Sequence, residues 1–265
     1  MKNIILQFKK KQESKTPISV ITCYDYTFAR LFSQTEVDAI LVGDSLGNVI
    51  QGHNSTIPVT VDDIIYHTKA VCKGAPEKYV IADMPFLSYQ VSVEEGIRSA
   101  GKIMKETTAD CVKLEGDSDL VIELTRRLTE MGIPVFAHLG LTPQSVHTLG
   151  GHRVQGKTEA DRSRMIQKSK EISDAGAFAV VLEMIPEALG REITESISIS
   201  TIGIGAGRFT TGQVLVMQDL LGLNESFNPK FLKKYVDLSS VVRNAVDSYH
   251  KEVIGLKFPG EGNVF

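Results

Sequence analysis

Short apolar runs recur along the whole chain, at residues 18–22, 39–42, 79–82, 111–114, 135–137, 179–182, 201–204 and 214–217. Most are continuous rather than alternating, the pattern of strands covered on both faces in a parallel sheet. Between them lie segments with the helical 3.6-residue period. The stretch 61–74 follows Thr60, a good N-cap, and opens with Asp62 and Asp63 in its first turn. Ser92 with Glu95 predicts a capping box for a helix running to about residue 105. Helices are also predicted over 120–131, 159–175 and 187–196, with Gly132 and Gly176 ending two of them.

Eight strands separated by helices, with no composition break or flexible linker, predict one α/β domain over residues 1–265 with a short amino-terminal helical segment. Eight is the number a (β/α)8 TIM barrel requires. An open doubly wound sheet is the alternative. The amino-terminal segment carries an apolar set, Ile4, Ile5, Leu6 and Phe8, beside Lys9, Lys10 and Lys11. That set suits packing either under its own barrel or on a neighbouring subunit. The three lysines are expected on a solvated helix, since nothing basic continues them.

Composition narrows the class. Hydrophobic residues at 42% and charged residues at 23% are ordinary for a globular protein, and a chain of 265 residues buries enough surface to need no disulfide or structural metal. The net charge of −3 leaves no electrostatic footprint for nucleic acid, and no apolar run is long enough for a membrane span. Cys23, Cys72 and Cys111 are scattered and odd in number, which points to a reducing cytoplasm; Cys111, inside an apolar run, reads as a small core residue. His67, His147, His152 and His250 lack the spacing of a zinc protease.

The chemistry lies at the ends of the runs. Asp44 with Ser45, Asp83, Glu115, His138 and Glu183 each follow an apolar run at its carboxyl side. In a closed barrel those ends open on the one face that carries the active site. Asp44, Asp83 and Glu115 converging there repel one another, and a hard divalent cation such as Mg2+ resolves the repulsion. Capping of the helices that follow is the alternative for each acid. Lys113, two residues before Glu115, shares its face and either binds an acidic substrate or balances charge. His138 is read equally as a packed or a catalytic residue. Glu183, closing a dry apolar run, suits a general base, with an ion pair as its alternative. The glycines of Ile202-Gly203-Ile204-Gly205-Ala206-Gly207 fall at every second residue, so no dinucleotide fingerprint is present; anion approach and close packing stand equal.

Several of these stretches carry a resemblance. Ile21-Thr22-Cys23-Tyr24-Asp25-Tyr26, Leu41-Val42-Gly43-Asp44-Ser45-Leu46-Gly47, Gln51-Gly52-His53 and Ala82-Asp83-Met84-Pro85-Phe86 resemble the motifs of the ketopantoate hydroxymethyltransferase family. So do Val112-Lys113-Leu114-Glu115-Gly116, the run from His138 to Ser145, Gly150-Gly151, Val154-Gln155-Gly156 and the glycine-rich segment. Thr107-Thr108 stands where a glycine-containing turn is more usual. The resemblance implies a (β/α)8 barrel of the phosphoenolpyruvate/pyruvate superfamily, a cytoplasmic homo-oligomer, commonly a decamer, and no nucleic-acid or membrane partner. It implies transfer of a hydroxymethyl group from 5,10-methylenetetrahydrofolate to 3-methyl-2-oxobutanoate, on the way to pantothenate and coenzyme A. It implies Asp44 and Asp83 as magnesium ligands, with Glu115 acting through water. Asp44, Ser45, Asp83 and Lys113 are implied as oxo-acid contacts and Glu183 as the base. An isocitrate-lyase-like enzyme is the neighbouring reading, but the Lys-Lys-Cys-Gly-His loop of those lyases does not occur here. A non-catalytic barrel is the other, and the convergence of so many carboxylates opposes it.

Overall fold

A computed structural model describes residues 2–145, 151 and 153–265. His147, Gly150 and His152, singled out above, lie outside the described residues. The chain divides into two compact units, Met1–Val216 and Met217–Phe265.

The first unit runs α1 (Ile4–Glu13), β1 (Ile18–Thr22), α2 (Tyr26–Ser33), β2 (Ala39–Val42), α3 (Leu46–Val49), α4 (Val61–Gly74), β3 (Tyr79–Asp83) and α5 (Val93–Glu106). It continues with β4 (Cys111–Glu115), α6 (Asp119–Glu130), β5 (Val135–Gly140), α7 (Glu159–Asp174), β6 (Ala179–Glu183), α8 (Glu187–Ser196), β7 (Ser200–Ile204) and β8 (Gly212–Leu215). All eight strands are parallel and pair in sequence order, and β8 returns to β1 through the register Ile18↔Gly212. The barrel is therefore closed, and the open doubly wound alternative falls.

Two layers of apolar side chains hold it. Inside, Val20, Leu41, Ile81, Phe136, Val181, Ile202 and Val214 fill the lumen. Outside, residues such as Ile40, Val80, Val112 and Leu114 meet Ile64, Ile103 and Leu124 of the helices. Continuous apolar runs follow from this double burial, because each strand is covered on both faces.

The amino-terminal segment resolves in favour of its own barrel. Ile4 and Phe8 are buried in the inner cluster, and the Phe8 ring meets Phe178 and Phe136 edge-on at centroid distances of 5.4 and 6.3 Å. These partners stand at the amino ends of their strands, so α1 stoppers the end of the barrel opposite the carboxyl face. Ile5 and Leu6 remain exposed. The lysines sit on this helix as expected, with Lys11 paired to Asp38.

Helix starts agree with local chemistry. Thr60 and Asp63 form a full capping box, while the box expected of Ser92 and Glu95 is only half made: Ser92 accepts from the Glu95 N–H without a reciprocal bond. Gly132 and Gly176 take φ of 83° and 99° just past α6 and α7, a conformation in which glycine carries no Cβ penalty.

One connection departs from the expected alternation. No helix separates β7 from β8. Gly205 and Gly207, with φ of 63° and 82°, turn the chain straight back. The returning segment is held by Thr211, whose hydroxyl donates to the Thr201 carbonyl at 2.8 Å and accepts from the Thr201 N–H at 2.8 Å. A Cβ on Gly207 would lie 2.4 Å from Glu187 Cγ, and one on Gly203 2.7 Å from Thr210 Oγ1. Reversal and close packing thus account for these glycines.

The second unit contains α9 (Met217–Leu220) and α10 (Leu238–Ile254). Asp237 caps α10, and Arg243 on it forms a two-pronged pair with Glu225. No helix among the described residues is long and apolar enough to cross a membrane.

Candidate active site

Barrel register brings the strand-end residues together. Asp83 on β3 stands beside Lys113 on β4, Glu115 beside His138 on β5, and Gly140 beside Glu183 on β6. Asp44 follows β2, and its backbone N–H donates to Asp83 Oδ2 at 3.1 Å. Asp44, Asp83, Lys113, Glu115 and His138 are all buried. Every residue the sequence nominated on these strands is in one cluster.

Helix capping does not explain the acids. The helices after β3 and β4 are capped by Ser92 and Ser118, and the short α3 after β2 takes Ser45 at its N-cap without a side-chain bond. Asp44, Asp83 and Glu115 are therefore free for the site, and an oxygen from each lies within 4.8 Å of the others.

Lys113 sits between two of them, its Nζ donating to Asp83 Oδ2 at 2.7 Å and Glu115 Oε1 at 3.0 Å. His138 Nδ1 is 3.2 Å from the same Glu115 oxygen. Its Nε2 lies 3.3 Å from Glu183 Oε2, within ion-pair reach but off the hydrogen-bond direction, so that buried nitrogen stays without a bond. Glu183 thus has an imidazole for a neighbour, where a Lys or Arg pair was the expected alternative. Its side chain is 19% exposed, wetter than its apolar strand suggested. The Ser45 hydroxyl is 2.8 Å from that of Tyr24.

The protonation pattern follows from these neighbours. Burial, then the charges of Asp83 and Glu115, push Asp44 well above the usual carboxylate range. Burial also raises Asp83 against the pull of Lys113. Burial works to raise Glu115 too, but Lys113 and His138 outweigh it and hold that carboxyl down at about 2. His138 is lowered by burial and raised more strongly by Glu115 and Glu183, ending at about 9. Lys113, despite its burial, is held above its ordinary value by the three acids.

Four carboxylates, Asp44, Asp83, Glu115 and Glu183, face two basic side chains, Lys113 and His138. Asp83 Oδ1 is buried without any hydrogen-bond partner, an expensive state for a carboxylate oxygen. A converging, oxygen-only donor set of buried carboxylates with an unused oxygen fits a hard divalent cation.

Sequence reasoning missed the groups that surround this cluster. Gln144, in a 3-10 turn at Pro143–Ser145 beyond β5, reaches Asp44 with its amide, and Tyr89, from the loop before α5, reaches Glu115. Neither ends a strand, and a neutral side chain on a loop gives no sequence signal of its own.

The fold and the cluster define an enzyme of the (β/α)8-barrel class, with its acid–base groups on the carboxyl face. Its fold is shared with solved barrels such as 2,3-dimethylmalate lyase, a PEP mutase/isocitrate lyase superfamily member, at a TM-score of 0.62 and 14% identity, covering 100% of this chain and 93% of that one. The chain belongs to the ketopantoate hydroxymethyltransferase family, whose model matches residues 2–261. A relative from Leptospira biflexa called 3-methyl-2-oxobutanoate hydroxymethyltransferase is 72% identical, covering 100% of this chain and 99% of that protein. One of the same name from Leptospira interrogans is 56% identical over 100% of both chains.

Proposed function

We propose that this chain joins the one-carbon unit of 5,10-methylenetetrahydrofolate to C3 of 3-methyl-2-oxobutanoate with consumption of one water, which supplies the hydroxyl of the new hydroxymethyl group, giving 2-dehydropantoate and tetrahydrofolate. Family membership supports the reaction. The observation that carries the site is the buried group Asp44, Asp83 and Glu115 with the unpartnered Asp83 Oδ1.

In this reading Asp44 and Asp83 hold Mg2+, with Glu115 acting through water. When bound, the ion supplies a Lewis acid that polarises the 2-oxo group of the substrate. Lys113 adds a buried positive charge beside Asp83 and favours an anionic oxo acid. Ser45, held by the Tyr24 hydroxyl, is a further substrate contact.

Glu183 takes the proton from C3 of the oxo acid, leaving the enolate that attacks the one-carbon unit. His138 stands between Glu115 and Glu183, its two ring nitrogens 3.2 and 3.3 Å from their carboxylate oxygens. A protonated His138 cannot itself accept a proton, so the base role falls to Glu183.

The assembly is proposed as a cytoplasmic homo-oligomer, a decamer by family resemblance. Val241, Val246, Tyr249 and Ile254 on α10 are exposed apolar residues, which favours association. The decisive experiment follows Mg2+-dependent consumption of 3-methyl-2-oxobutanoate with and without 5,10-methylenetetrahydrofolate. Turnover only with the folate is expected. No turnover with both, or folate-independent cleavage of a carbon–carbon bond, overturns the reading.

A further inference from the structure

The Gln144 side chain is 3% exposed, and its carboxamide has no spare valence. Nε2 donates one hydrogen to Asp44 Oδ2 at 3.0 Å and the other to the Met84 carbonyl at 2.9 Å. Oε1 accepts from the Tyr89 hydroxyl at 2.8 Å and from Gln90 Nε2 at 3.0 Å. An amide has two donors and two lone pairs to give, and all four are used. A carbonyl only accepts, so Met84 fixes which end of the amide is nitrogen, and the flipped arrangement is excluded.

Tyr89 fixes the rest. Its hydroxyl accepts the Glu115 N–H at 3.1 Å, and its one proton has two acceptors in reach, Gln144 Oε1 at 2.8 Å and the Glu115 carbonyl at 3.1 Å, of which the Gln144 oxygen is the nearer. The Gln144 backbone N–H meanwhile donates to Glu115 Oε2 at 3.3 Å. One residue therefore touches two of the three converging carboxylates and connects them by a chain of contacts: Glu115 N–H to Tyr89, the Tyr89 hydroxyl to Gln144, Gln144 to Asp44. Its consequence is local and specific. Asp44 Oδ2 is held by an N–H, which restrains rotation of the carboxylate beside Asp83 and Glu115. Groups that hydrogen-bond a metal-ligating carboxylate orient it in this way.

We propose that Gln144, oriented by Tyr89, is a positioning residue that fixes the Asp44 carboxylate for a divalent cation. The inference rests on the proposed metal site, and the experiment separates the two. Mg2+ is titrated calorimetrically into the parent, Gln144→Met, Tyr89→Phe, the double variant and Asp44→Asn. Outer-shell partners are commonly worth 10–100-fold in metal affinity, so Gln144→Met is expected to weaken binding by about tenfold with stoichiometry unchanged. Tyr89→Phe, which removes the orienting hydroxyl but leaves the Gln144 amide on Asp44, should weaken it by less. The double variant should be no weaker than Gln144→Met, because the two groups act through one chain.

A residue that merely holds the fold would instead lower the fraction of sites that bind and leave their affinity parental, and that result overturns the proposal. Parental affinity and stoichiometry in Gln144→Met overturn it too, provided Asp44→Asn has lost affinity. If Asp44→Asn binds like the parent, the metal site itself is wrong and the inference falls with it. Should Gln144→Met fail to fold, Tyr89→Phe decides alone: weaker binding supports the chain, parental binding rejects it.

Discussion

Gly140 lies so close to Glu183 that a Cβ on it would stand 2.2 Å from the Glu183 carbonyl oxygen. The same oxygen accepts the Leu141 N–H at 2.9 Å, and Gly140 takes φ of 97° to let the chain approach. The end of β6 is thus pinned to β5 by a contact that only glycine allows, at the backbone of the proposed base itself.

Gly140→Ala should therefore be costly in two ways. A left-handed φ and a backbone clash together cost about 2 kcal/mol or more. At about 2–4 °C per kcal/mol for a chain of this size, the thermal midpoint should fall by about 5 °C or more. Turnover at a temperature where the variant is folded should fall as well, because the Glu183 backbone must shift. A circular-dichroism melt with the parental midpoint contradicts this.

Removing a metal-facing charge should be read in binding. Asp44→Asn and Asp83→Asn each replace an anionic hard ligand by a neutral one. Even outer-shell losses weaken metal sites by 10–100-fold, so each variant should lose about 10²-fold or more in Mg2+ affinity. Activity should recover partly at high Mg2+. Parental affinity in both variants, measured by calorimetry, removes these residues from the site.

Glu183→Gln should separate binding from chemistry. Gln keeps the shape and one acceptor oxygen but takes no proton at neutral pH. Metal and oxo-acid affinity should hold, while turnover falls by about 10²–10⁴, the usual range for a lost general base. Exchange of the C3 proton of 3-methyl-2-oxobutanoate into deuterated water, followed by NMR, reads the step without folate. Exchange at the parental rate assigns the base elsewhere.

The thiols give a pH signature. Burial pushes Cys23 from 9.0 up to about 11, and burial raises Cys72 and Cys111 as well. Native protein at pH 8 should react with a disulfide reagent far more slowly than unfolded protein, since the thiolate is the nucleophile. The unfolded Cys23 thiol sheds its proton near 9.0, the folded one only near about 11. Stability should accordingly fall as pH rises across that window, which alkaline urea titrations check. Rapid labelling of a native thiol at pH 8 contradicts the burial.

Much of this was legible in the chain. The strand-end acids could be read because parallel barrel strands announce themselves as apolar runs, and whatever polar group ends the run must face the carboxyl side. Seven runs fall on their strands within a few residues. The eighth, expected at 214–217, begins earlier at Gly212 because Gly212 and Gln213 are drawn in by pairing to Ile202 and Gly203, not by hydrophobicity. The missing helix between β7 and β8 is hidden for a similar reason: two left-handed glycines and a threonine pair replace it, and none of these has a period. α10 went unread because its apolar residues are exposed, not aligned on a buried face. Gln144 and Tyr89 were unreadable as site residues because their roles come from loops folding over strands far away in sequence.

Closure of the ring through Ile18↔Gly212 has a consequence for a chain still being made. Until β8 is available, β1 and β7 each present an open row of backbone donors and acceptors, and open strand edges recruit other chains. Products truncated before Gly212 should therefore aggregate through those edges, and the full-length ring, having none, should not.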